Sequence, residues 1–248
     1  MRPQDSDGSS APAAAILVAA GSGSRMGAGV PKALIPLAGV PLLVWSLRAL
    51  ASSRRVAAIV VVAPPEHLGE TEAAVRSHGV AASVVAGGAS RAESVAAGLE
   101  AIPVDAEVVL VHDAARPLLS PDLIDAVLAA IDDADGADGA IAARQVADTL
   151  KRADGSNPPV IAATVARAGL WAAETPQAFV TAALRGAVAA ARAERRLADA
   201  TDCASLVEAV GGRVRLVPPV GPNLKVTTPA DLALAEELLR GNPRPGVL

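Results

Sequence analysis

The 248-residue chain has no tyrosine, one phenylalanine and two tryptophans, so aromatics make up 1% of it although 52% is hydrophobic. Rings cannot fill such an interior, and Ala, Val, Leu and Ile must. Side chains of this kind suit a Val-rich parallel sheet covered by Ala-rich helices. Cys203 is the only cysteine, which excludes an intrachain disulfide and a Cys-based zinc site. Histidine is scarce too: His67 and His78 carry no metal-like spacing, and His112 reads as a packed strand-end residue. Basic residues are in no excess. Lys and Arg number 22 against 26 acidic residues, the net charge is −4, and the cations are scattered, whereas nucleic-acid binding needs a clustered basic face. No apolar run, residues 11–20 included, approaches the roughly 20 residues of a membrane helix. The opening "MRPQDSDGSSAP" lacks the charged-then-apolar order of a signal peptide and reads as a disordered lead-in over residues 1–12. The expectation is a cytoplasmic protein with neither nucleic acid nor membrane as partner.

What is present alternates between two patterns. The length suits one sizeable α/β domain or two small ones. Apolar runs at residues 13–20, 56–65, 80–88 and 106–117 read as strands. Residues 40–53 have helical spacing with Pro41 in the first turn. Residues 90–102 open with Ser90 and Glu93, a capping box. Residues 120–131 open with a Ser cap and a Pro. The alternation predicts an α/β fold: a Rossmann-like, mostly parallel, doubly wound sheet, with ligands at the C-terminal ends of its strands. Between residues 139 and 179 the pattern changes. Two extended runs flank the turn "ADGSNPP", which predicts a protruding β-hairpin arm at about residues 144–168. The arm has too few large apolar residues for a core of its own. A partner subunit is the simplest cover, giving a homodimer. The chain then returns to helix and strand and closes on a helix with Thr228 as cap and Pro229 at its first position. There is no internal repeat, so residues 13–240 read as one domain, followed by a tail at 241–248.

Residues 19–32 read "AAGSGSRMGAGVPK" and follow the first strand. A strand running into a glycine-rich turn exposes backbone N–H groups that cradle anions. The glycines alone fit a plain strand–helix turn equally well. Two familiar loops do not fit. A P-loop needs Gly-Lys-Ser/Thr, absent here. The dinucleotide fingerprint needs Gly-x-Gly-x-x-Gly and an acidic residue about 20 positions on. Here the glycines are Gly21, Gly23 and Gly27, and Glu66 lies much further along. The loop adds two cations, Arg25 and Lys32, to its backbone donors. That mixture suits a triphosphate whose charge grows during reaction.

The loop is similar to the signature of sugar-phosphate nucleotidyltransferases. Further stretches narrow the resemblance: "GGASRAESV" at 87–95, "VHDAARP" at 111–117, "DTLK" at 148–151, "TVARAGLWAAETPQAF" at 164–179, "TDCAS" at 201–205 and "NLKVTTPADLALAE" at 223–236. Together they resemble the 2-C-methyl-D-erythritol 4-phosphate cytidylyltransferase family of the non-mevalonate isoprenoid pathway, from about residue 14 to residue 239. The chain stops near the end of the resemblance, so no second fused enzyme is expected.

The resemblance implies that CTP and the polyol phosphate give a CDP-alcohol and pyrophosphate, with Mg2+ as cofactor. The acceptor phosphate, with a second pKa near ~6, is largely dianionic at neutral pH. It needs no general base to attack the α-phosphorus in line. Bringing anions together is the obstacle, and positioning and electrostatics address it. By resemblance Arg25 and Lys32 stabilise the transition state, and backbone groups of Ala19, Ala20, Gly21 and Gly23 hold the nucleotide. Gly87, Gly88 and Ser94 match positions that recognise cytosine, whose amino donor and ring acceptors need only backbone groups and a hydroxyl. Ala89 stands where many relatives are acidic. By resemblance Asp113 faces the sugar phosphate and the metal region, where it would reach Mg2+ through water. Arg116, in the same loop, is expected to contact substrate. Thr149 and Arg167 lie on the arm, and by resemblance their counterparts act in the neighbouring subunit's site, so each site would be shared. Thr175 and Thr201 match polyol-phosphate contacts. Lys225 places the attacking phosphate, with Thr227 close by. Cys203 replaces the family's usual acidic residue and reads as a buried small side chain. The nearest rival is a ribitol-5-phosphate cytidylyltransferase. Others are an NAD(P)-dependent oxidoreductase, disfavoured by the loop spacing, and a non-catalytic nucleotide sensor, disfavoured by retention of Arg25, Lys32, Arg167 and Lys225.

Overall fold

The computed structural model describes residues 12–21, 30–132 and 136–241. Gly23 and Arg25, most of the N-terminal lead-in and the tail after residue 241 lie outside the described residues. In chain order the elements are strands β1 (Ala13–Val18), β2 (Pro36–Leu37) and β3 (Val40–Pro41), helix α1 (Leu42–Ser52), β4 (Val56–Ala63), α2 (Leu68–Ser77), β5 (Ser83–Ala86), α3 (Arg91–Ala101), β6 (Val108–Asp113) and α4 (Pro121–Asp132). They continue as β7 (Gly139–Gln145), β8 (Leu150–Ala153), β9 (Ile161–Val165), β10 (Trp171–Val180), α5 (Thr181–Ala193), α6 (Cys203–Ala209), β11 (Val214–Val217) and α7 (Pro229–Gly241).

Seven strands form one sheet in the order β11-β7-β10-β6-β1-β4-β5. All pair in parallel except β10, which is antiparallel to both β6 and β7. The sheet is therefore mostly parallel, as the alternating pattern implies. The reversed strand has a local cause: β7 runs out to the arm and β10 returns from it, so the two form the base of a long hairpin.

Strand residues alternate between two helical layers, as a period of two requires. Ala13, Ala15 and Leu17 face a cluster with α1 and α4, including Leu43, Leu47, Ile124 and Leu128. Ala14 and Ile16 face the opposite cluster with α3, α5 and α6, including Val95, Leu99, Leu184 and Val207. Burying each Leu, Ile or Val contributes about 1.5–3 kcal/mol, which small aliphatic residues supply here in place of rings. Helix α3 lies close on β1: a Cβ at Gly98 would come within 2.6 Å of Ile16. A third cluster packs α7 against α1 and the β2–β3 turn through Leu42, Trp45, Val226 and Leu239.

Local signals explain most helix starts. Ser90 and Glu93 form the expected reciprocal capping box on α3. Ser120 Oγ accepts the Leu123 amide, and Thr228 Oγ1 accepts the Asp231 amide. Pro41 stands just before α1, not inside its first turn, because its backbone is extended and pairs with Pro36. Helix α6 begins inside the "TDCAS" stretch and runs beyond it, with Asp202 and Ser205 forming a second capping box. Strands β8 and β9 pair antiparallel as the arm. Its turn is held by Asp154 Oδ1, which accepts the Ser156 and Val160 amides. Val160 and Ile161 stand exposed on it.

Candidate active site

The C-terminal ends of β1, β5 and β6 point to one edge of the sheet, and a cavity of about 390 Å³ opens there. Three loops build it: residues 19–21 after β1, residues 87–90 leading into α3, and residues 113–115 after β6. Lys32, Arg91 and Lys225 complete the wall. Among the described lining residues, Asp113 is the single carboxylate against these three cations. The N-terminal end of α3, with its partial positive charge, supplies Ser90, Arg91 and Ser94 to the same wall. A polyanion is what this wall can hold.

The two glycines after β5 are there for contact. A Cβ at Gly87 would lie 2.7 Å from the Ala20 Cβ and 2.8 Å from Ser94 Oγ. One at Gly88 would lie 2.4 Å from the Glu93 Cβ. Side chains would force the β1 and β5 loops apart and lift the loop from α3. Ser94, almost fully buried, accepts the Gly88 amide at 3.2 Å and donates to the Ser90 carbonyl at 2.9 Å. Its hydroxyl fixes the loop and lines the cavity floor.

Asp113 is the hub. Its Oδ1 accepts from Arg91 Nε and Nη2, both at 3.0 Å, and its Oδ2 accepts from Lys225 Nζ at 2.8 Å. Burial opposes ionisation of this carboxyl, but Arg91 and then Lys225 outweigh it and hold it far below the usual carboxylate range. From the backbone side, the Asp113 amide donates to Thr175 Oγ1 at 3.1 Å, and Thr175 Oγ1 is 3.0 Å from His112 Nδ1. His112 Nε2 lies 3.1 Å from the Arg116 carbonyl. The carbonyl only accepts, so Nε2 carries the proton and the Thr175 hydroxyl donates to Nδ1. Burial, working against the bond to Arg116, pushes the His112 pKa down to about 4, so the ring is neutral at pH 7.

A neighbouring groove runs past Arg116, Asn223 and Lys225. Arg116 Nη1 donates to the Asn223 carbonyl at 2.7 Å and lies 3.7 Å from Glu174. Glu174 also accepts from Arg144 and from Asn223 Nδ2. The Val226 amide donates to the Ala115 carbonyl. The segment carrying Lys225 is thus tied to the loop carrying Asp113.

Of the residues singled out in the sequence, Ala19, Ala20, Gly21, Lys32, Gly88, Ser94, Asp113 and Lys225 line the cavity, with Gly87 packed against Ala20 behind it. Arg116 lies in the neighbouring groove instead. Thr175 is buried beneath Asp113 with its hydroxyl already bonded. The Thr227 hydroxyl donates to Asp231, which also accepts the Thr227 and Thr228 amides at the start of α7. Those bonds bring the Asp231 pKa down to about 2. Thr149, Arg167 and Thr201 are exposed and do not line the cavity of their own chain. Arg167 donates to the Ala147 carbonyl at the base of the arm. Ala89 is on the cavity rim. Cys203 is buried, and its desolvated thiol is pushed up to about 11, so it is a packed residue and not a nucleophile. Sequence reasoning passed over Arg91, Glu174 and Asn223 as site residues. The "GGASR" stretch held a signal for Arg91: an arginine one position after a helix cap, in a glycine-rich loop.

The family model described as "IspD: 2-C-methyl-D-erythritol 4-phosphate cytidylyltransferase" matches residues 13–241. A 2-C-methyl-D-erythritol 4-phosphate cytidylyltransferase from Streptomyces avermitilis is 44% identical over 240 residues, covering 93% of this chain and 93% of its own. One from Frankia casuarinae is 46% identical, covering 91% and 80%. The crystal structure of the Thermus thermophilus protein of the same name superposes with a TM-score of 0.74 at 37% identity, covering 91% of this chain and 98% of that one. The chain belongs to the 2-C-methyl-D-erythritol 4-phosphate cytidylyltransferase family.

Proposed function

We propose that the chain transfers the cytidylyl group of CTP to 2-C-methyl-D-erythritol 4-phosphate, releasing pyrophosphate, in non-mevalonate isoprenoid precursor synthesis. Its membership of a family of cytidylyltransferases carries this reading, and the cavity of three cations and one carboxylate at the strand ends supports it. An acceptor phosphate oxygen attacks the α-phosphorus, a new P–O bond forms, and the bond to the bridging β-phosphate oxygen breaks. The dianionic nucleophile carries no proton to remove, so no base is needed. That agrees with a neutral, fully buried His112. Loops 19–21 and 87–90 hold the nucleotide, with Gly88 and Ser94 at the base. Lys32 and Arg25 neutralise charge on the triphosphate, and Lys225 receives the acceptor phosphate.

Mg2+ fits as a passenger on the triphosphate. No cluster of three or more acidic, His or Cys ligands occurs among the described residues, and both Asp113 oxygens are already bonded to cations. Mg2+ usually keeps several waters and takes few carboxylates, so Asp113 would hold it through water. When bound, it would offset phosphate charge. The exposed Val160 and Ile161 of the arm, together with Thr149 and Arg167 standing away from their own cavity, support a homodimer with shared sites. No helix among the described residues is long and apolar enough to cross a membrane. Pyrophosphate release across a matrix of nucleotides and acceptors tests the reading. CTP with methylerythritol phosphate should be the productive pair, and turnover of ribitol 5-phosphate alone would overturn it.

A further inference from the structure

Arg91 lines the cavity but has no step of its own in the chemistry described so far, yet it makes two contacts with Asp113 where Lys225 makes one. Its Nε and Nη2 both donate to Oδ1, and its Nη1 lies 3.6 Å from Cys203 Sγ. Lys225 takes the other oxygen, Oδ2. Two cations therefore share one carboxylate from opposite sides, but they are not equivalent. The Arg91 side chain is 26% exposed and its planar fork is held by Asp113 and by Cys203, while that of Lys225 is 42% exposed. An ammonium on a flexible stem changes partner easily, whereas a guanidinium fork fixed through several donors does not. The buried thiol accepts from Nη1 while staying neutral, so it orients Arg91 without consuming its charge.

Lys225 cannot serve Asp113 and an acceptor phosphate equally well. Once it turned to the phosphate, an Asp113 without Arg91 would stand as an unbalanced, largely buried anion beside an incoming dianion. That arrangement is strongly unfavourable. We propose that Arg91 is a positioning residue for the acceptor step: it keeps Asp113 paired and fixed, so that Lys225 can exchange from Asp113 to the attacking phosphate. The proposal rests on the cytidylyltransferase reading above. Arg91 acts here through Asp113 and does not touch the reacting atoms.

A double-mutant cycle on the full chain tests it, with kcat and KM for CTP and for methylerythritol phosphate measured in wild type, Arg91→Met, Asp113→Asn and the double variant. Orienting partners of site ligands typically cost on the order of 10–100-fold when removed. Arg91→Met should raise the acceptor KM by such a factor and change the CTP KM by less than about threefold. In the Asp113→Asn background, Arg91→Met should add no more than about a twofold loss, because the partner it acts through is gone. Arg91→Lys should recover part of the loss, since it keeps the charge but not the fork. If Arg91→Met does not fold, as judged by near-UV circular dichroism, the cycle is run with Arg91→Lys and the same non-additivity is required. Losses that multiply in the double variant, or a rise confined to the CTP KM, would overturn the proposal while leaving the cytidylyltransferase reading intact. Wild-type protein inert with CTP and methylerythritol phosphate would overturn that reading and this proposal with it.

Discussion

His112 gives the structure a measurable dependence on pH. The ring is fully buried at the end of β6, and its two nitrogens join Thr175 on β10 to the Arg116 carbonyl in the site loop. Burial places its folded pKa at about 4, whereas a free imidazole titrates near 6.5. Between those values the unfolded chain binds the proton and the folded chain does not, so stability falls as the pH falls. From pH 7 to pH 5 the linkage amounts to about 2 kcal/mol, at 1.36 kcal/mol per pKa unit and allowing for partial titration at each end. Asp113 has the same sign in a lower window: its depressed carboxyl stabilises the fold above the ordinary aspartate range, and that contribution is lost only in stronger acid. His112→Gln removes the titration but keeps a polar side chain. Urea unfolding followed by far-UV circular dichroism at pH 7, 6 and 5 should show a variant less stable at pH 7 by about 1–3 kcal/mol, from disturbed buried hydrogen bonds. The gap to wild type should then shrink by about 2 kcal/mol at pH 5. A gap that stays constant with pH would refute a neutral, buried His112 and the Thr175–His112–Arg116 tether built on it.

Further outcomes follow from the same geometry. Gly88→Ala brings a Cβ to 2.4 Å from the Glu93 Cβ, so it should raise the CTP KM by on the order of tenfold and lower the melting temperature as the loop lifts from α3; an unchanged KM would refute the close-approach argument. Arg25→Ala should lower kcat by about 10²–10³-fold, as for loss of one preorganised donor, with circular dichroism unchanged; wild-type turnover would remove it from the transition state. Mixing inactive Arg25→Ala with inactive Arg167→Ala should restore part of the activity if two chains share a site, and no recovery despite proven subunit exchange would count against sharing.

Short-range features were the legible ones. The Ser90–Glu93 box, the strand ahead of the glycine loop and Asp113 at a strand end all depend on residues within a few positions of one another, and the structure holds them where the pattern points. The turn "ADGSNPP" marked the arm for the same reason. What escaped depends on distant packing. Arg91 draws no notice in the sequence, because only the packing of α3 over β1 and β4 brings it to Asp113 at the end of the neighbouring β6. Thr175 reads as a substrate contact, but His112, 63 residues earlier, and the Asp113 amide occupy its hydroxyl. Thr227 is likewise turned to Asp231 by the helix start that follows it. Strand β10 reversed its direction through the hairpin base, which no periodicity reveals, since both directions alternate alike. Helix α6 is short and its start is hidden in the "TDCAS" motif, where the Asp202–Ser205 capping box is its local signal.

The central claim is attack by a polyol phosphate on the α-phosphorus of CTP. It is tested most directly by incubating the protein and Mg2+ with methylerythritol phosphate and CTP labelled at either the α- or the γ-phosphorus, then separating the products. The account predicts that α-label enters the diphosphocytidyl alcohol in step with γ-label entering pyrophosphate, with no label in CMP. Label from the γ-position in the alcohol, α-label released as CMP, or transfer to ribitol 5-phosphate with none to methylerythritol phosphate would contradict it.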